Sequence, residues 1–337
     1  MDFVVIRTPF RISFAGGGTD LPSFYERDYG AVVSTTIDKY VYVMVNQCRP
    51  LLSHGIDDPG RYRIRLSYSS TENVQSIDEL QHPIVRETLR FLDLDIPLDI
   101  ATMADVPAGN GLGSSGSFSV ALLHALHLIK GENPHPEQLA AEAAHIEIDV
   151  LGRPVGKQDH YAAAFGGLNV IQFLAGGDVT VRPVASPDSG APQLFPNLML
   201  LHTGVSRDAG AVLAEQRDNV ERLSDDLITI RDHAHQLEGL LRDGFGPSRF
   251  GELMHSSWMR KRKLAANISN NQIDRWYDCA MQAGALGGKI CGAGGGGFLL
   301  LVVEPERRSA VRDALSELTE LTIGYEPCGS KVLLPAD

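Results

Sequence analysis

The chain has 337 residues, a formal net charge of −12, 43% hydrophobic residues and 21% charged residues. This length predicts two domains, and the acidic balance argues against general nucleic-acid binding, which needs a basic surface to neutralise backbone phosphates. No apolar run approaches the roughly 20 residues of a membrane span, and the N-terminal segment MDFVVIRTPF lacks the features of a signal peptide. Four scattered cysteines without metal-like spacing favour a reduced, cytoplasmic setting.

The N-terminal part of the chain is predicted to be rich in β-strands. Alternating or β-branched segments occur at residues 4–6, 11–15, 31–45 and 62–68. The glycine-rich loop 16-GGGTDLP-22 separates the second of these segments from the third. Helical spacing then covers residues 76–91, and Pro83 is expected to begin a new helix within that stretch.

The sequence 107-PAGNGLGSSG-116 joins a predicted strand at residues 98–103 to a predicted helix at residues 117–129. Its glycines let the backbone pass close to a bulky group. The helix that follows supplies unpaired N–H groups and the positive end of its dipole, and two serines add hydroxyls. Together these features predict a phosphate-binding loop.

The remainder of the chain mixes helices with few strands, which predicts an α+β domain. A Pro/Ser/Gly-rich stretch at residues 185–196 is the expected boundary, so the predicted domains are residues 1–190 and 191–337. Predicted helices are 136–151, 156–164, 209–241, 250–266, 273–285 and 304–318, and predicted strands are 198–202, 298–303 and 331–334.

Three kinds of phosphate-binding pattern compete for the glycine-rich loop. The P-loop pattern GxxxxGK[ST] is absent from the sequence. The dinucleotide pattern GxGxxG occurs at residues 111–116 and 292–297, but a chain with 34 glycines produces such matches by chance. A β-rich segment precedes the first match and Pro107 interrupts its entry, so a dehydrogenase is the weaker alternative.

The third pattern is that of the GHMP kinases. Residues 107–116 match the signature of this family, P-x-x-x-G-L-G-S-S-[AG]. Residues 9–20, PFRISFAGGGTD, resemble the N-terminal motif of the sugar kinases in this family. Residues 289–297, KICGAGGGG, resemble its C-terminal glycine motif, with Cys291 where Ser or Thr is usual. The resemblance implies an α+β fold of two domains, the first β-rich and ribosomal-S5-domain-2-like, the second ferredoxin-like.

The resemblance also implies which residues handle ATP and Mg²⁺. The expected ATP-binding residues are Pro107, Gly109, Asn110, Gly111, Leu112, Gly113, Ser114, Ser115 and Gly116. In this family the second serine of the loop, here Ser115, holds Mg²⁺ together with a glutamate. That glutamate lies twelve residues before a catalytic aspartate, and Glu147 and Asp159 show this spacing. Arg11 matches the arginine beside that aspartate. Asp159 and Arg11 are therefore the expected catalytic residues, because a carboxylate can position the acceptor hydroxyl and take its proton.

The sugar is expected to bind at the N-terminal motif. Asp20 matches an aspartate that accepts hydrogen bonds from sugar hydroxyls, and one carboxylate can accept from two adjacent hydroxyls. The expected substrate-binding residues are Gly17, Gly18, Thr19, Asp20, Lys157, Asp159, Gly294, Gly295 and Lys261. Lys261 belongs to the basic cluster at residues 260–263, which is a candidate site for a phosphate of the sugar. A solvated helix face is the alternative for that cluster.

Three segments resemble one subgroup of the family, the D-glycero-D-manno-heptose 7-phosphate kinases: 15-AGGGTD-20, residues 156–167 and residues 255–274. This resemblance implies transfer of the γ-phosphoryl group of ATP to the anomeric hydroxyl of a phosphorylated long-chain sugar. The implied sugar is D-glycero-D-manno-heptose 7-phosphate, and the product would serve the synthesis of nucleotide-activated heptose. Octose 8-phosphate, fucose or galactose as acceptor, or a non-catalytic sugar-sensing regulator, are the alternatives. The expected partners are a sugar phosphate and ATP, without nucleic acid or membrane, and the chain is expected to be a monomer or homodimer.

Simpler structural roles also exist for several of these residues. Asp159 can act only as a helix N-cap, and residues 292–297 only as a tight connection. Asp149, Glu142 and His145 lie near the metal candidates in sequence. We expect those three to be solvated charges on a helix surface.

Overall fold

The structure, a computed structural model, describes residues 2–48, 62–184, 191–205 and 209–335. The strands of these ranges are β1 (Phe3–Ala15), β2 (Gly30–Gln47), β3 (Ile64–Ser67), β4 (Thr71–Val74), β5 (Leu98–Ala104), β6 (Leu168–Phe173), β7 (Val179–Pro183), β8 (Leu198–His202), β9 (Gly287–Ile290), β10 (Phe298–Val302), β11 (Thr319–Glu320) and β12 (Lys331–Pro335). The α-helices are α1 (Pro22–Tyr25), α2 (Pro83–Phe91), α3 (Ser114–Lys130), α4 (Pro136–His145), α5 (Gln158–Phe165), α6 (Ala191–Leu194), α7 (Ala209–Asp218), α8 (Ser224–Asp243), α9 (Pro247–Lys261), α10 (Asn271–Gln282) and α11 (Arg308–Ala314). Shorter helical turns are three 3₁₀ turns (Ile77–Glu79, Phe195–Asn197 and Pro305–Arg307) and one π turn (Ile146–Val150).

The strands of the described residues form two sheets, which confirms the predicted α+β class. One sheet has eight strands in the order β12-β1-β2-β5-β3-β4, with β6 pairing with β2 and β7 with β6. The other has four strands in the order β11-β8-β10-β9, all antiparallel. The C-terminal strand β12 pairs with β1, so the end of the chain returns to the first sheet. Residues 185–190 of the predicted boundary lie outside the described residues, and the division at residue 190 remains a proposal.

The first strand is longer than the sequence predicts. Residues 4–6 and 11–15 are predicted as separate strands, but both lie in β1, which runs beside β2 along its whole length. The register of the β1–β2 pair shifts between Pro9 and Phe10. Proline has no N–H to give to the sheet, and a register shift is where a strand tolerates it without ending. One strand therefore carries Arg11 into the middle of the molecule.

Helix α3 is the central element of the first domain. Apolar residues surround it, and almost its whole length is buried between the large sheet and helices α4 and α5. A helix that is apolar on all sides is stable only in such a position. It begins at Ser114, three residues earlier than predicted, because Gly113 adopts φ 78°, a left-handed conformation that favours glycine, and so turns the chain into the helix. Both serines of the loop therefore lie in its first turn.

The predicted helix 136–151 is interrupted. Helix α4 ends at His145, and residues Ile146–Val150 form a π turn that contains Glu147. Such π turns are rare and frequently occur at functional sites. The turn ends near Gly152, which has φ 63°, and Pro154 follows, as the sequence predicts.

The second domain contains the predicted elements with shorter helices, together with strands β9 and β11, which the sequence does not predict. The predicted helix 209–241 is two helices, α7 and α8, and the helix predicted at 304–318 is a 3₁₀ turn followed by α11. A second hydrophobic core packs the small sheet against α9 and α10. Across the described residues, we find no helix of the length and apolarity needed to cross a membrane.

Candidate active site

A cavity of about 860 Å³ lies where the two domains meet. Its walls include the glycine loop before α3, the start of α3 and the loop after β9, and it contains Arg11, Gly111, Ser115, Asp159 and Gly292. Residues from the three separate motifs of the sequence thus line one space.

The two glycine-rich loops touch backbone to backbone. A side chain at Gly111 would put its Cβ 2.6 Å from the Cys291 carbonyl oxygen, and one at Gly292 would lie 2.7 Å from the Gly111 Cα. A Cβ at Gly297 would lie 2.3 Å from the Asn110 carbonyl oxygen. Glycine is required at these positions because only a bare backbone permits such close approach. The second glycine motif therefore forms part of the cavity wall.

Arg11 joins the first glycine loop to Asp159. Its Nε and Nη2 atoms lie 2.7 and 2.6 Å from Asp159 Oδ1, and its Nη1 donates to the Gly111 carbonyl at 2.7 Å. The backbone N–H of Arg11 also donates to the Leu112 carbonyl. The arginine side chain is only 3% exposed and that of Asp159 is 28% exposed. A buried, rigid cation thus fixes one oxygen of a carboxylate that reaches the cavity.

Asp159 lies in the first turn of α5, directly against the start of α3. A Cβ added to Gly116 would lie 2.8 Å from the Asp159 Cβ and 3.0 Å from its backbone carbonyl carbon. One added to Gly113 would lie 3.4 Å from Asp159 Oδ2. The glycines of the loop therefore allow the aspartate to stand beside the predicted phosphate site.

Glu147 is buried at the centre of a hydrogen-bond network. Its Oε2 accepts from Ser115 Oγ at 2.6 Å, and its Oε1 accepts from Ser119 Oγ at 2.7 Å and lies 3.1 Å from His160 Nε2. Burial alone would raise the pKa of Glu147, but the hydrogen bonds from His160, Ser115 and Ser119 outweigh it and hold that pKa at about 2. The group is therefore a carboxylate at neutral pH.

Two of these oxygens form a pair suited to Mg²⁺. Ser115 Oγ, at the cavity wall, and Glu147 Oε2, buried behind it, are hard donors that lie 2.6 Å apart. Mg²⁺ is bound through few protein oxygens and keeps phosphate or water as its other ligands. No cluster of three or more His, Cys, Asp or Glu residues that could hold a metal occurs in the described part of the chain. The donor set thus fits a cation that arrives together with a phosphate.

Asp20 forms a second polar centre next to Asp159. Its Oδ1 accepts from the Gly18 N–H at 2.9 Å and its Oδ2 accepts from Gln158 Nε2 at 2.8 Å. Burial raises the pKa of Asp20, and the charge of Asp159 raises it further. A Cβ at Gly156 would lie 2.0 Å from Asp20 Oδ2, so a glycine at 156 is needed to admit this carboxylate.

The basic cluster at 260–263 does not form a common surface. Arg260 pairs with Asp226 at 2.8 Å and Arg262 with Asp274 at 2.6 Å, whereas Lys261 points inward and is 6% exposed. The Lys261 ammonium donates to the Gly292 carbonyl at 2.6 Å and would lie 3.3 Å from a Cβ at Gly17. Burial lowers the pKa of Lys261 to about 8. It is thus the member of the cluster that reaches both glycine motifs.

Other predicted substrate residues have partners of their own. Lys157 Nζ donates to the Gly177 carbonyl at 2.7 Å and lies 5.2 Å from the Tyr25 ring centroid. Thr19 Oγ1 donates to the Gly16 carbonyl, and the Gly295 N–H donates to the Ile268 carbonyl. The contacts of Thr19 and Gly295 shape the two loops that enclose the site, whereas those of Lys157 tie it to the β6–β7 connection and to α1. Gly294 lines the cavity itself.

Asn110 and the charges near the metal candidates also have partners. Asn110 Nδ2 donates to the Pro107 carbonyl, and its Oδ1 lies 3.2 Å from His202 Nε2, which closes the loop on itself and against β8. Asp149 pairs with His145 on the surface, as expected for solvated charges. Glu142 differs from that expectation because it pairs with the buried His127.

Four residues of the site are absent from the sequence predictions: Ser119, Arg153, Gln158 and His160. Ser119 is a polar residue on a buried side of an apolar helix, which is a signal that the sequence contains. Gln158 and His160 flank Asp159 directly. Arg153 donates from Nη1 to Ser115 Oγ at 3.1 Å and to Glu147 Oε2 at 2.8 Å, a contact that no sequence pattern reveals.

Comparisons with known proteins agree with this geometry. The chain is 29% identical over 326 residues to the D-glycero-alpha-D-manno-heptose 7-phosphate kinase of Campylobacter jejuni, an alignment that covers 94% of each chain. It is also 29% identical over 260 residues to a galactokinase of Mycobacterium bovis, covering 68% of this chain and 70% of that one. A crystal structure of a D-glycero-D-manno-heptose 1-phosphate kinase from Bacteroides thetaiotaomicron shares the fold, with TM-score 0.78, 24% identity, and coverage of 99% of this chain and 100% of that one.

Family models match both domains of the chain. The GHMP kinase N-terminal domain matches residues 83–167, which include the glycine loop, Glu147 and Asp159. The GHMP kinase C-terminal domain matches residues 238–320, which include Lys261 and the second glycine loop. The chain belongs to the GHMP kinases, enzymes that transfer a phosphoryl group to an alcohol.

Proposed function

We propose that this protein is an ATP-dependent sugar kinase that phosphorylates the anomeric hydroxyl of D-glycero-D-manno-heptose 7-phosphate. The product would be heptose 1,7-bisphosphate, a precursor of nucleotide-activated heptose. The observation that carries the proposal is that Arg11, Asp159 and Ser115 line one cavity, with the Arg11–Asp159 pair at its wall. Glu147 is hydrogen-bonded to Ser115 from behind that wall. The choice of heptose is supported by similarity to the Campylobacter kinase along 94% of both chains. Octose 8-phosphate, fucose and galactose are the alternative acceptors.

The triphosphate of ATP is proposed to bind the loop at residues 107–116. The free N–H groups of the first turn of α3 and the positive end of its dipole attract phosphate oxygens. Mg²⁺ bound with the nucleotide supplies charge neutralisation for the phosphoryl group, and Ser115 Oγ and Glu147 Oε2 would hold it. The depressed pKa of Glu147 keeps this ligand negative throughout the physiological range.

Asp159 is proposed to orient the acceptor hydroxyl and to take its proton. Arg11 binds Oδ1, so Oδ2 is the oxygen assigned to the hydroxyl. The two Arg11 contacts lock the carboxylate rotamer, which keeps Oδ2 in one position during the reaction. Arg11 also places a positive charge next to the region where negative charge develops.

The sugar is proposed to lie between Asp20, Asp159 and Lys261. Asp20 receives two hydrogen bonds from the protein and retains lone pairs for sugar hydroxyls. Gly17, where a Cβ would lie 3.3 Å from Lys261 Nζ, adds no side chain to this space, which leaves room for a sugar longer than a hexose. Lys261 is the proposed contact for the distal phosphate.

The catalytic assignment is tested with Asp159→Asn, which removes the proton acceptor and keeps the shape. We expect kcat to fall by roughly 10²–10⁴-fold, the usual contribution of a positioned base. The affinity for MgATP, measured by calorimetry, should change little. Asp149→Asn is the matched control because that aspartate is exposed and pairs with His145 on the surface. Turnover retained in the Asp159 variant would remove this residue from the role of base.

The acceptor is tested by a coupled ADP-release assay with heptose 7-phosphate, octose 8-phosphate, fucose, galactose and mannose at equal concentrations. We expect kcat/KM to be highest for heptose 7-phosphate. A higher value for an unphosphorylated hexose would refute the heptose assignment while leaving the sugar-kinase assignment in place.

A further inference from the structure

Arg153 contacts both oxygens assigned to Mg²⁺ and has no role in the proposed phosphoryl transfer. Its Nη1 atom donates to Ser115 Oγ at 3.1 Å and to Glu147 Oε2 at 2.8 Å, and its side chain is 33% exposed and lines the cavity. The two oxygens that it contacts are the two assigned to Mg²⁺. The Arg153 guanidinium thus donates hydrogen bonds to both oxygens that are assigned to the metal ion.

A guanidinium and a magnesium ion compete for these oxygens, because Glu147 Oε2 already accepts hydrogen bonds from both Ser115 and Arg153. Mg²⁺ binds its oxygens at about 2.1 Å and accepts only near-octahedral geometry, so a donor N–H directed at the same lone pairs obstructs it. The two cations also repel each other across the short distance between them. Binding of the metal at Ser115 and Glu147 therefore requires the Arg153 side chain to move.

The surroundings of Arg153 allow a movement of the side chain alone. Its backbone N–H donates to the Glu147 carbonyl at 3.0 Å, and its carbonyl accepts from the Val155 N–H at 2.9 Å. The backbone is therefore fixed, whereas the partly exposed guanidinium faces an open cavity. The space it faces is the one assigned to the triphosphate, and a planar guanidinium binds phosphate oxygens through two parallel hydrogen bonds.

We propose that Arg153 exchanges partners when the nucleotide binds: it leaves Ser115 and Glu147 to the metal and pairs with the triphosphate. This inference rests on the proposed function. In the nucleotide-free protein, Arg153 neutralises Glu147 and competes with free metal ions. In the loaded protein, the same charge contributes to nucleotide affinity. Arg153 thereby favours metal that arrives with ATP over metal that arrives alone.

This exchange predicts two effects of opposite sign. Removing the guanidinium should strengthen binding of a free divalent cation and weaken binding of the nucleotide. A merely structural arginine would weaken both or affect neither. Glu147 keeps Ser115, Ser119 and His160 as partners without Arg153, so the variant is expected to fold.

The experiment uses Arg153→Met, with Arg153→Lys as a second variant and Arg249→Met as the matched control. Arg249 pairs with Glu252 on the surface. Mn²⁺ binding to the nucleotide-free protein is measured by electron paramagnetic resonance, and binding of a non-hydrolysable ATP analogue with Mg²⁺ by calorimetry. We expect Arg153→Met to bind Mn²⁺ about fivefold tighter or more and the analogue about fivefold weaker or more, within the usual range of coupling between sites. Arg153→Lys should lie between this variant and the parent.

Unchanged Mn²⁺ affinity in Arg153→Met, or a change of both affinities in the same direction, would overturn the inference. The single variant Glu147→Gln distinguishes a failure of the metal assignment from a failure of the exchange. If Glu147→Gln abolishes the Mn²⁺ binding but Arg153→Met does not strengthen it, the metal pair stands and the exchange fails. If Glu147→Gln leaves Mn²⁺ binding intact, the metal assignment and the exchange both fail.

Discussion

The contact between α3 and α5 at Gly116 should control where Asp159 stands, and Gly116→Ala tests this directly. The added Cβ would lie 2.8 Å from the Asp159 Cβ, 3.0 Å from the Asp159 carbonyl carbon and 3.1 Å from the His160 nitrogen. Two of these atoms belong to the backbone, so no side-chain rotation relieves the contact. A normal carbon–carbon contact needs roughly 3.5 Å, and the first turn of α5 must therefore move by about 0.7 Å.

The consequences of Gly116→Ala follow from that displacement. Misplacement of a catalytic group by about 1 Å can cost roughly a hundredfold, so we expect kcat to fall by about ten- to a hundredfold. Overpacking costs about 1–3 kcal/mol of stability, which the better helix propensity of alanine offsets by about 0.5–1 kcal/mol. The measurements are steady-state kinetics in the coupled assay and chemical denaturation.

Gly239→Ala is the control for this substitution. Gly239 also lies in a helix, α8, but a Cβ there meets no atom within 4 Å among the described residues. This variant should keep its kcat and gain about 0.5–1 kcal/mol of stability from helix propensity. If Gly116→Ala kept kcat within twofold of the parent while Gly239→Ala behaved as expected, the contact would not determine the position of Asp159.

Three further predictions concern Ser119, Lys261 and His127. Ser119→Ala removes a hydrogen bond to Glu147 and should weaken Mn²⁺ binding by about tenfold, as the loss of a hydrogen-bond partner of a metal ligand usually does. Unchanged binding would show that Ser119 does not orient Glu147. Lys261→Met should raise KM for the sugar phosphate by about ten- to a hundredfold, the worth of a charged hydrogen bond, with little effect on KM for ATP. The exposed Lys263→Met is its control, and equal effects on both substrates would contradict the anion role. Burial lowers the pKa of His127 but its two glutamate partners outweigh this and raise it above 6.5. The stability that His127 contributes should therefore be complete below about pH 6.5 and fall as the pH rises further. The measurement is the difference in free energy of unfolding between the parent and His127→Gln, from about pH 6 to about pH 9.

The parts of the site that could be predicted from the sequence are those fixed by local geometry. Glycines in a loop before a helix indicate a phosphate site because the conformation of Gly113 and the N–H groups of α3 are local properties. The spacing of Glu147 and Asp159 is likewise a property of the sequence. The structure brings the glycine loop and Asp159 to one cavity, together with Arg11 from a strand more than a hundred residues before Asp159, and it places Glu147 behind Ser115 at the wall of that cavity.

The predictions that needed change failed for identifiable physical reasons. The sequence presents residues 260–263 as one basic cluster, but neighbours on a helix point about 100° apart. Lys261 therefore faces inward between two arginines that form surface ion pairs. The position of Arg153 depends on the π turn at Ile146–Val150, which no helical periodicity foretells. Side-chain partners across domains are equally invisible to a local pattern.

The division of the site between the two domains has a consequence for specificity. Arg11, Ser115, Glu147 and Asp159, which are assigned to the phosphoryl transfer, all come from the first domain. Lys261, by contrast, comes from α9 of the second domain, and its ammonium faces Gly17 of the proposed sugar loop, where a Cβ would lie 3.3 Å from it. The backbone contact between the two glycine loops holds these halves in register. Substitutions in α9 should therefore alter the choice of acceptor while the chemistry stays intact, because the reacting groups and the distal sugar contact lie on different domains.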